Sequence, residues 1–357
     1  MSWSKILIKN GRIWDGSEFQ DGSVRIEKGI VTEIGNASNE KVDYEFDAAG
    51  CIVCPGLVDI HMHMRGISAK DLGIQAESIC FPCGVTAAAD ASGLEGNKEL
   101  LDSFMVKNAV FVYVGIKNNK ADFSNSEKML KKYGEKAIGV KVYFDASGCD
   151  ATDTLPLREI CSYAHERGLK VMVHCTGAPV KMREVLACLE KGDICTHAYH
   201  GFPNTVQEDQ FDALKKARNR GVIIDAAMAG GVHIDFQVIH EAVKQGAWMD
   251  TISSDVTTYS AFTRGGKYGL TMCMSIMREL GIPESEILRA VTYNAAKALG
   301  KQECWGCLKV GGNADVTVLK YGEEGFDVID KWGNQLQSQY GYQCLLTISD
   351  GQVVYRA

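Results

Sequence analysis

Eight short apolar runs separated by amphipathic stretches fill the middle of this chain, and that alternation constrains the fold more than any other feature. The first four runs are V-C-P-G-L-V-D-I (53–60), G-V-T-A-A-A-D (84–90), A-V-F-V-Y-V-G-I (109–116) and A-I-G-V-K-V-Y-F (137–144). The others are L-K-V-M-V-H-C (169–175), D-I-C-T-H-A (193–198), G-V-I-I-D-A-A (221–227) and D-T-I-S-S-D (250–255). Between them lie helical patterns such as 155–168 and 178–192, each ending in a basic residue followed by glycine, a helix-stop signature. Strands alternating with helices imply a parallel sheet, and eight of them predict an α/β fold closed as a (β/α)8 TIM barrel. The flanks differ. Residues 4–50 and 315–355 run in short alternating pieces with Asn-Gly, Asp-Gly and Lys-Gly turns, which predicts hairpins. We therefore expect residues 1–54 together with 303–357 to form one small β-sandwich domain beside a barrel over 55–302. A chain of 357 residues accommodates both.

Barrels of this type carry their chemistry at the C-terminal ends of the strands. The first run leads into His61-Met62-His63, and alternation along a strand puts both imidazoles on one face. The fifth ends in His174, the sixth in His197 and the eighth in Asp255, while Lys141 lies near the end of the fourth. The chain has only eight histidines; the other four are His165 and His240 in helical patterns and His200 and His233 in loops. Four imidazoles, a carboxylate and a lysine on one rim are a metal-ligand set by residue type. Lys141 is the sharpest member, because an unpaired ammonium in so apolar a strand is costly. It must be neutralised, paired or chemically altered; snorkelling to the barrel mouth or pairing with Asp145 are the plainer solutions. Lys117 competes for the same role, but with Asn118, Asn119 and Lys120 beside it, it reads as part of a solvated loop.

The formal charge of -7, with no basic block, argues against nucleic acid or an anionic membrane surface as partner. There is no long apolar run, and Met1 to Asn10 lacks a signal-peptide pattern, so a cytoplasmic location is expected. Thirteen cysteines include three C-x-x-C pairs, Cys51/Cys54, Cys80/Cys83 and Cys304/Cys307. Cys51 and Cys54 flank an apolar I-V without knuckle-forming glycines, so reduced thiols used as small hydrophobes are expected over zinc knuckles.

The segment P-G-L-V-D-I-H-M-H (55–63) resembles the P-G-x-[IV]-D-x-H-x-H opening of the amidohydrolase superfamily. V-K (140–141), V-H-C (173–175), T-H-A (196–198) and S-S-D (253–255) follow in the family's order. G-C-L-K-V-G-G-N-A-D-V-T-V-L (306–319) is similar to its return into the small β domain. From Lys141 to His174 is 33 residues, and the shorter interval of 23 from His174 to His197 resembles the D-aminoacylase-like, amidohydrolase-deacetylase branch more than dihydroorotases or hydantoinases, which separate those two histidines further. The resemblance implies two divalent metal ions, both zinc. His61, His63 and Asp255 would hold one, His174 and His197 the other, with Lys141 bridging them as a carbamate made from carbon dioxide. Asp255 would be the catalytic base.

The implied reaction is hydrolysis of an amide by a metal-activated hydroxide, with a small N-acyl amino acid or related acyl compound as substrate. Rivals on the same centre are opening of a cyclic amide, as in dihydroorotases and hydantoinases, and cleavage of an ester of an acyl hydroxy acid. A deaminase, a non-catalytic scaffold and a plain metal-binding protein follow less directly. Arg65 in H-M-H-M-R resembles the dihydroorotase arginine that grips a substrate carboxylate, which implies a carboxylate-bearing small molecule; an arginine merely paired on the rim is equally open. Tyr143, two residues from Lys141, either reaches substrate or caps the core. His200, in Y-H-G where relatives have F-N-G, completes the candidate substrate-binding set. Asp255 is followed by V-T-T-Y instead of the dihydroorotase H-A-P-H. The loop after the seventh run, A-M-A-G-G-V-H, lacks the family's G-H-G and displaces His233. A homo-oligomer is expected only from the general habit of soluble enzymes.

Overall fold

β-branched runs broken by Asn, Asp and Gly turns build five strands before the barrel begins. The computed structural model describes residues 3–38, 40–69, 71–201, 203–263 and 267–357. Its first strands are β1 (Lys5–Trp14), β2 (Phe19–Glu27), β3 (Ile30–Gly35), β4 (Tyr44–Asp47) and β5 (Ile52–Pro55). The middle supplies β6 (Leu57–Met62), β7 (Val85–Gly93), β8 (Lys107–Lys117), β9 (Lys120–Asp122), β10 (Ala137–Tyr143), β11 (Lys170–His174), β12 (Ile194–Thr196) and β13 (Ile223–Asp225). The C-terminal part adds β14 (Val316–Gly322), β15 (Phe326–Ile329), β16 (Gln335–Ser338), β17 (Gly341–Ser349) and β18 (Gln352–Arg356).

Strands β6, β7, β8, β10, β11, β12 and β13 pair in that order, all parallel, with helices such as Leu155–His165 and Met182–Cys188 between them. The eighth run, 250–255, forms no regular strand. Instead Thr251 pairs with Asp225 at one edge of the sheet and Val256 with Met62 at the other, so this segment spans the gap. Asp255 has a left-handed backbone, φ 48°, which interrupts the extended run at the residue with ligand chemistry. Asp59 secures the seam: it accepts Ser254 Oγ–H at 2.5 Å and Ser254 N–H at 3.1 Å.

The first run also differs from its expectation as one strand. It divides at Gly56, with β5 in the outer sheet and β6 in the barrel. A Cβ at Gly56 would run into Thr86 of β7, so glycine is what lets the chain pass there. Within β6, Val58 and Ile60 join the cluster that holds Met172, while Met62 and Met64 join the larger cluster beneath the helices. The side-chain alternation therefore slips by one after Ile60, where the ladder to β7 is irregular. After that slip His61 and His63 both face the cavity.

Both chain ends enter one eight-stranded mixed sheet, ordered β18-β17-β14-β5-β1-β2-β3 with β4 also paired to β1. It has its own apolar core, including Ile6, Val24, Val316 and Ile348. Its hydrogen bonding follows one continuous path and does not divide into the two facing sheets of a sandwich. The hairpin β15–β16 leaves this sheet altogether. Phe326 and Val328 pack into the cluster that holds the barrel strands and helices, and Asp330 accepts the Phe236 N–H at 2.9 Å. Residues 326–338, placed by sequence with the small domain, thus lean on the barrel. All thirteen cysteines are free, and ten of them are buried. Among the described residues no helix is long and apolar enough to cross a membrane.

Candidate metal centre

The strand ends bring His61, His63, His174, His197 and Asp255 to one cavity of about 800 Å³, with Lys141 fully buried beside them. Asp255 Oδ1 lies 3.0 Å from His63 Nε2 and 3.2 Å from His61 Nε2, and its Oδ2 lies 3.7 Å from His197 Nε2. Lys141 Nζ is 3.1 Å from His61 Nε2. His197 and Asp255 both hold left-handed backbones, φ 62° and 48°, a strain that persists only where surrounding structure imposes it.

The outer contacts settle which nitrogens face inward. Thr196 Oγ1–H donates to Asp225 at 2.8 Å, so its oxygen is left to accept His61 Nδ1–H at 2.9 Å. Ser68 Oγ–H donates to Asp90 at 2.7 Å and accepts His63 Nδ1–H at 2.8 Å. His197 Nδ1–H donates to the Ala227 carbonyl at 2.9 Å. Each of these imidazoles therefore turns an Nε2 lone pair to the centre, the arrangement by which outer partners orient metal-binding histidines. Burial favours the neutral form of His61, His174 and His197: it pushes His61 down to about 3, lowers His174 and lowers His197 further. Burial raises Asp255, but its contacts with His61 and His63 outweigh that and hold it ionised, well below its ordinary value. Asp255 Oδ1 thus stands 3.0 Å and 3.2 Å from the Nε2 atoms of His63 and His61, close enough for the three atoms to share one positive charge, a proton or a metal ion. A divalent cation there would take the carboxylate oxygen and the imidazole nitrogens as ligands. His61, His197 and Asp255 form one group able to hold a metal ion, and His174, His197 and His233 another.

A sequence model of the amidohydrolase family matches residues 52–354. The chain belongs to this family. It is accordingly a hydrolase acting on carbon–nitrogen bonds, in a family that generally binds a divalent metal. A deacetylase of Enterococcus faecalis is 26% identical over 370 aligned positions, covering 98% of each chain. A solved dihydroorotase matches over 99% of this chain and 98% of its own with a TM-score of 0.86 at 21% identity. An adenine deaminase reaches 0.85 at 23% identity, covering 99% of both chains. These two structures show that the amidohydrolase fold is shared.

The candidate substrate contacts divide. Tyr143 lines the cavity with its ring 5.2 Å from that of His174. Arg65 is exposed and His200 is buried, and neither lines the cavity. The Arg65 position follows from the chain turning away after His63, where Arg65 N–H bonds the Ile74 carbonyl. His200 donates Nδ1–H to the Gly201 carbonyl at 2.8 Å, beneath the wall. Five contributors, from three segments, were missed in the sequence. His233 reaches the centre from the loop after β13, its Nε2 3.9 Å from Asp255 Oδ2. Thr257 and Ser260 follow Asp255 onto the wall. Asp327 and Ile329 arrive on β15, whose alternation points Phe326 and Val328 into the core and their neighbours to the mouth. Only His233 had a sequence signal, as a histidine in the right loop at the wrong spacing.

The outer contacts are testable. Thr196→Val keeps side-chain volume but removes the acceptor that orients His61. Metal affinity is expected to fall about 10–100-fold, the usual cost of losing such a partner, measured by chelator competition. Unchanged affinity would mean that Thr196 does not set the His61 tautomer.

Proposed function

We propose that this amidohydrolase removes the acyl group from a small N-acylated compound, an N-acyl amino acid or close relative, using two zinc ions bridged by a carbamate on Lys141. The observation that carries the reading is the convergence of His61, His63 and Asp255 lone pairs on one point, with His174, His197 and Lys141 beside it. His61, His63 and Asp255 would hold one ion, His174 and His197 the second, and modified Lys141 would touch both. Bound there, divalent ions acidify water and polarise a carbonyl. Burial lowers Lys141 to about 8, against Asp255 and Asp225, which raise it, so a substantial neutral fraction is available to combine with carbon dioxide.

The remaining work falls to the chain. Asp255, ionised and facing the cavity, accepts a proton on its carboxylate and returns it to the departing nitrogen. Tyr143 and the apolar side chains of Leu72, Val232 and Ile329 supply walls for a small acyl compound. The full-length similarity to a protein named as a deacetylase supports deacylation over ring opening.

The test is a screen of zinc-loaded protein against N-acyl amino acids, acyl hydroxy acids, dihydroorotate and hydantoins. N-acyl amino acids are expected to turn over fastest. No hydrolysis of any of them with about two equivalents of zinc bound would overturn the reading.

A further inference from the structure

We infer that His233 is a further ligand at the second metal position, so that His174, His197 and His233 form a three-histidine site within the centre. This rests on the two-metal reading above and adds a ligand to it.

The loop after β13 is shaped to deliver this side chain. Ala229, Gly230 and Gly231 take φ of 45°, 71° and 103° in succession, folding the chain back over the strand ends. A left-handed alanine is costly, and this one is held by its N–H bonding to the Ser254 carbonyl at 3.0 Å, next to Asp255. Beyond the turn, Asp235 N–H bonds the Tyr199 carbonyl at 2.9 Å, close in sequence to His197. The loop is thus pinned to the two strand ends that carry ligands, and His233 lies between the pins.

Ring centroids stand 4.8 Å from His233 to His174 and 4.4 Å from His233 to His197, and one ligand nitrogen from each of the three lies within 4.8 Å of the others. His174 Nε2, His197 Nε2 and His233 Nδ1 are buried without a hydrogen-bond partner. Asp145 Oδ2 stands 3.7 Å from His174 Nε2, too far to satisfy it. Buried polar nitrogens left unpaired are costly, so the unpaired Nε2 atoms of His174 and His197, with a ligand nitrogen of His233 within 4.8 Å, call for a shared partner. An imidazole with one nitrogen unprotonated offers a lone pair to such a partner. Three histidines with an open fourth position make a recurrent zinc site. Such a set holds an ion without drawing on Lys141, which leaves the lysine to act as a bridge and not as the sole anchor.

The experiment measures zinc content and affinity, by metal analysis and chelator competition, for the wild-type protein and for His233→Ala and His233→Asn, with melting curves confirming that each folds. The wild-type protein is expected to hold about two equivalents. In the variants one equivalent stays tight and the other weakens by at least about tenfold. X-ray absorption on the unmutated zinc protein reads the same point without a variant, as five imidazoles shared between two metals instead of four. Variants that hold both ions with unchanged affinity, or four imidazoles in the native protein, would overturn the inference while leaving two-metal hydrolysis standing. A wild-type protein that binds no divalent metal would overturn both.

Discussion

Replacing Lys141 by methionine is expected to make the metal-free protein more stable and the metal-loaded enzyme nearly inactive. The side chain is 0% exposed, and no carboxylate lies within ion-pair distance of it among the described residues. Its neighbours are His61 Nε2 at 3.1 Å and Met172 Sδ at 3.6 Å. Burial depresses the folded value to about 8 from 10.5, so between those values the unfolded chain binds the proton and the folded chain does not. Stability therefore rises with pH through that window, and below about 8 the cost of the buried ammonium is present in full, on the order of 3 kcal/mol. Methionine removes it. At pH 7 the metal-free variant should melt higher than the wild-type protein, with the difference fading towards pH 10.5. The same titration governs repair: at a fixed concentration of dissolved carbon dioxide, reactivation by zinc should speed as the pH rises towards about 8 and level off above it, following the neutral amine. Activity of the methionine variant should fall by about a thousandfold, near 4 kcal/mol of transition-state stabilisation. Lys141→Ala, which leaves space, should recover part of the loss with acetate. Full activity with both metals in either variant would remove Lys141 from the centre.

The clustering of these side chains was readable because strand ends in a parallel barrel are local features. A histidine at the end of an apolar run lies at the rim where the run ends, which places His174 directly, while His61 and His63 face the cavity through a slip in the alternation and His197 through a left-handed backbone. Lys141 was readable for a different reason, that its cost in an apolar strand demands an explanation. The eighth strand was readable as a segment and not as a strand. Asp255 takes a left-handed backbone there, which no periodicity reports. The cavity wall was largely hidden. Asp327 and Ile329 come from a hairpin about seventy residues beyond Asp255 in the chain, and its placement depends on Phe326, Val328 and Asp330 docking on the barrel. Arg65 shows the converse: its motif position was clear, but the turn after His63 carries it outward. Spacing brought together side chains held at strand ends and failed for side chains held by loops.

Asp255→Asn should separate chemistry from architecture at the remaining key position. The wild-type carboxylate sits on a left-handed backbone with Oδ1 against His61 and His63 and Oδ2 towards His197 and His233. Asparagine tolerates that backbone and matches the shape, so the fold should survive with little change in melting temperature. It cannot accept a proton as a base, and it brings no negative charge to the metal. Turnover is therefore expected to fall about 10²–10⁴-fold, the range for losing a positioned acid–base group, with KM changing far less. Asp255→Ala should lose as much activity and also about 1 kcal/mol of stability, because alanine is strained at this φ. The pH profile gives an independent reading. Asp255 is held well below its ordinary 3.8, so its favourable contribution to folding is complete above that pH and is lost only as the pH falls through the depressed folded value. An asparagine variant that kept more than about a tenth of wild-type turnover would show that the proton goes elsewhere, since a base in this role contributes at least about a hundredfold.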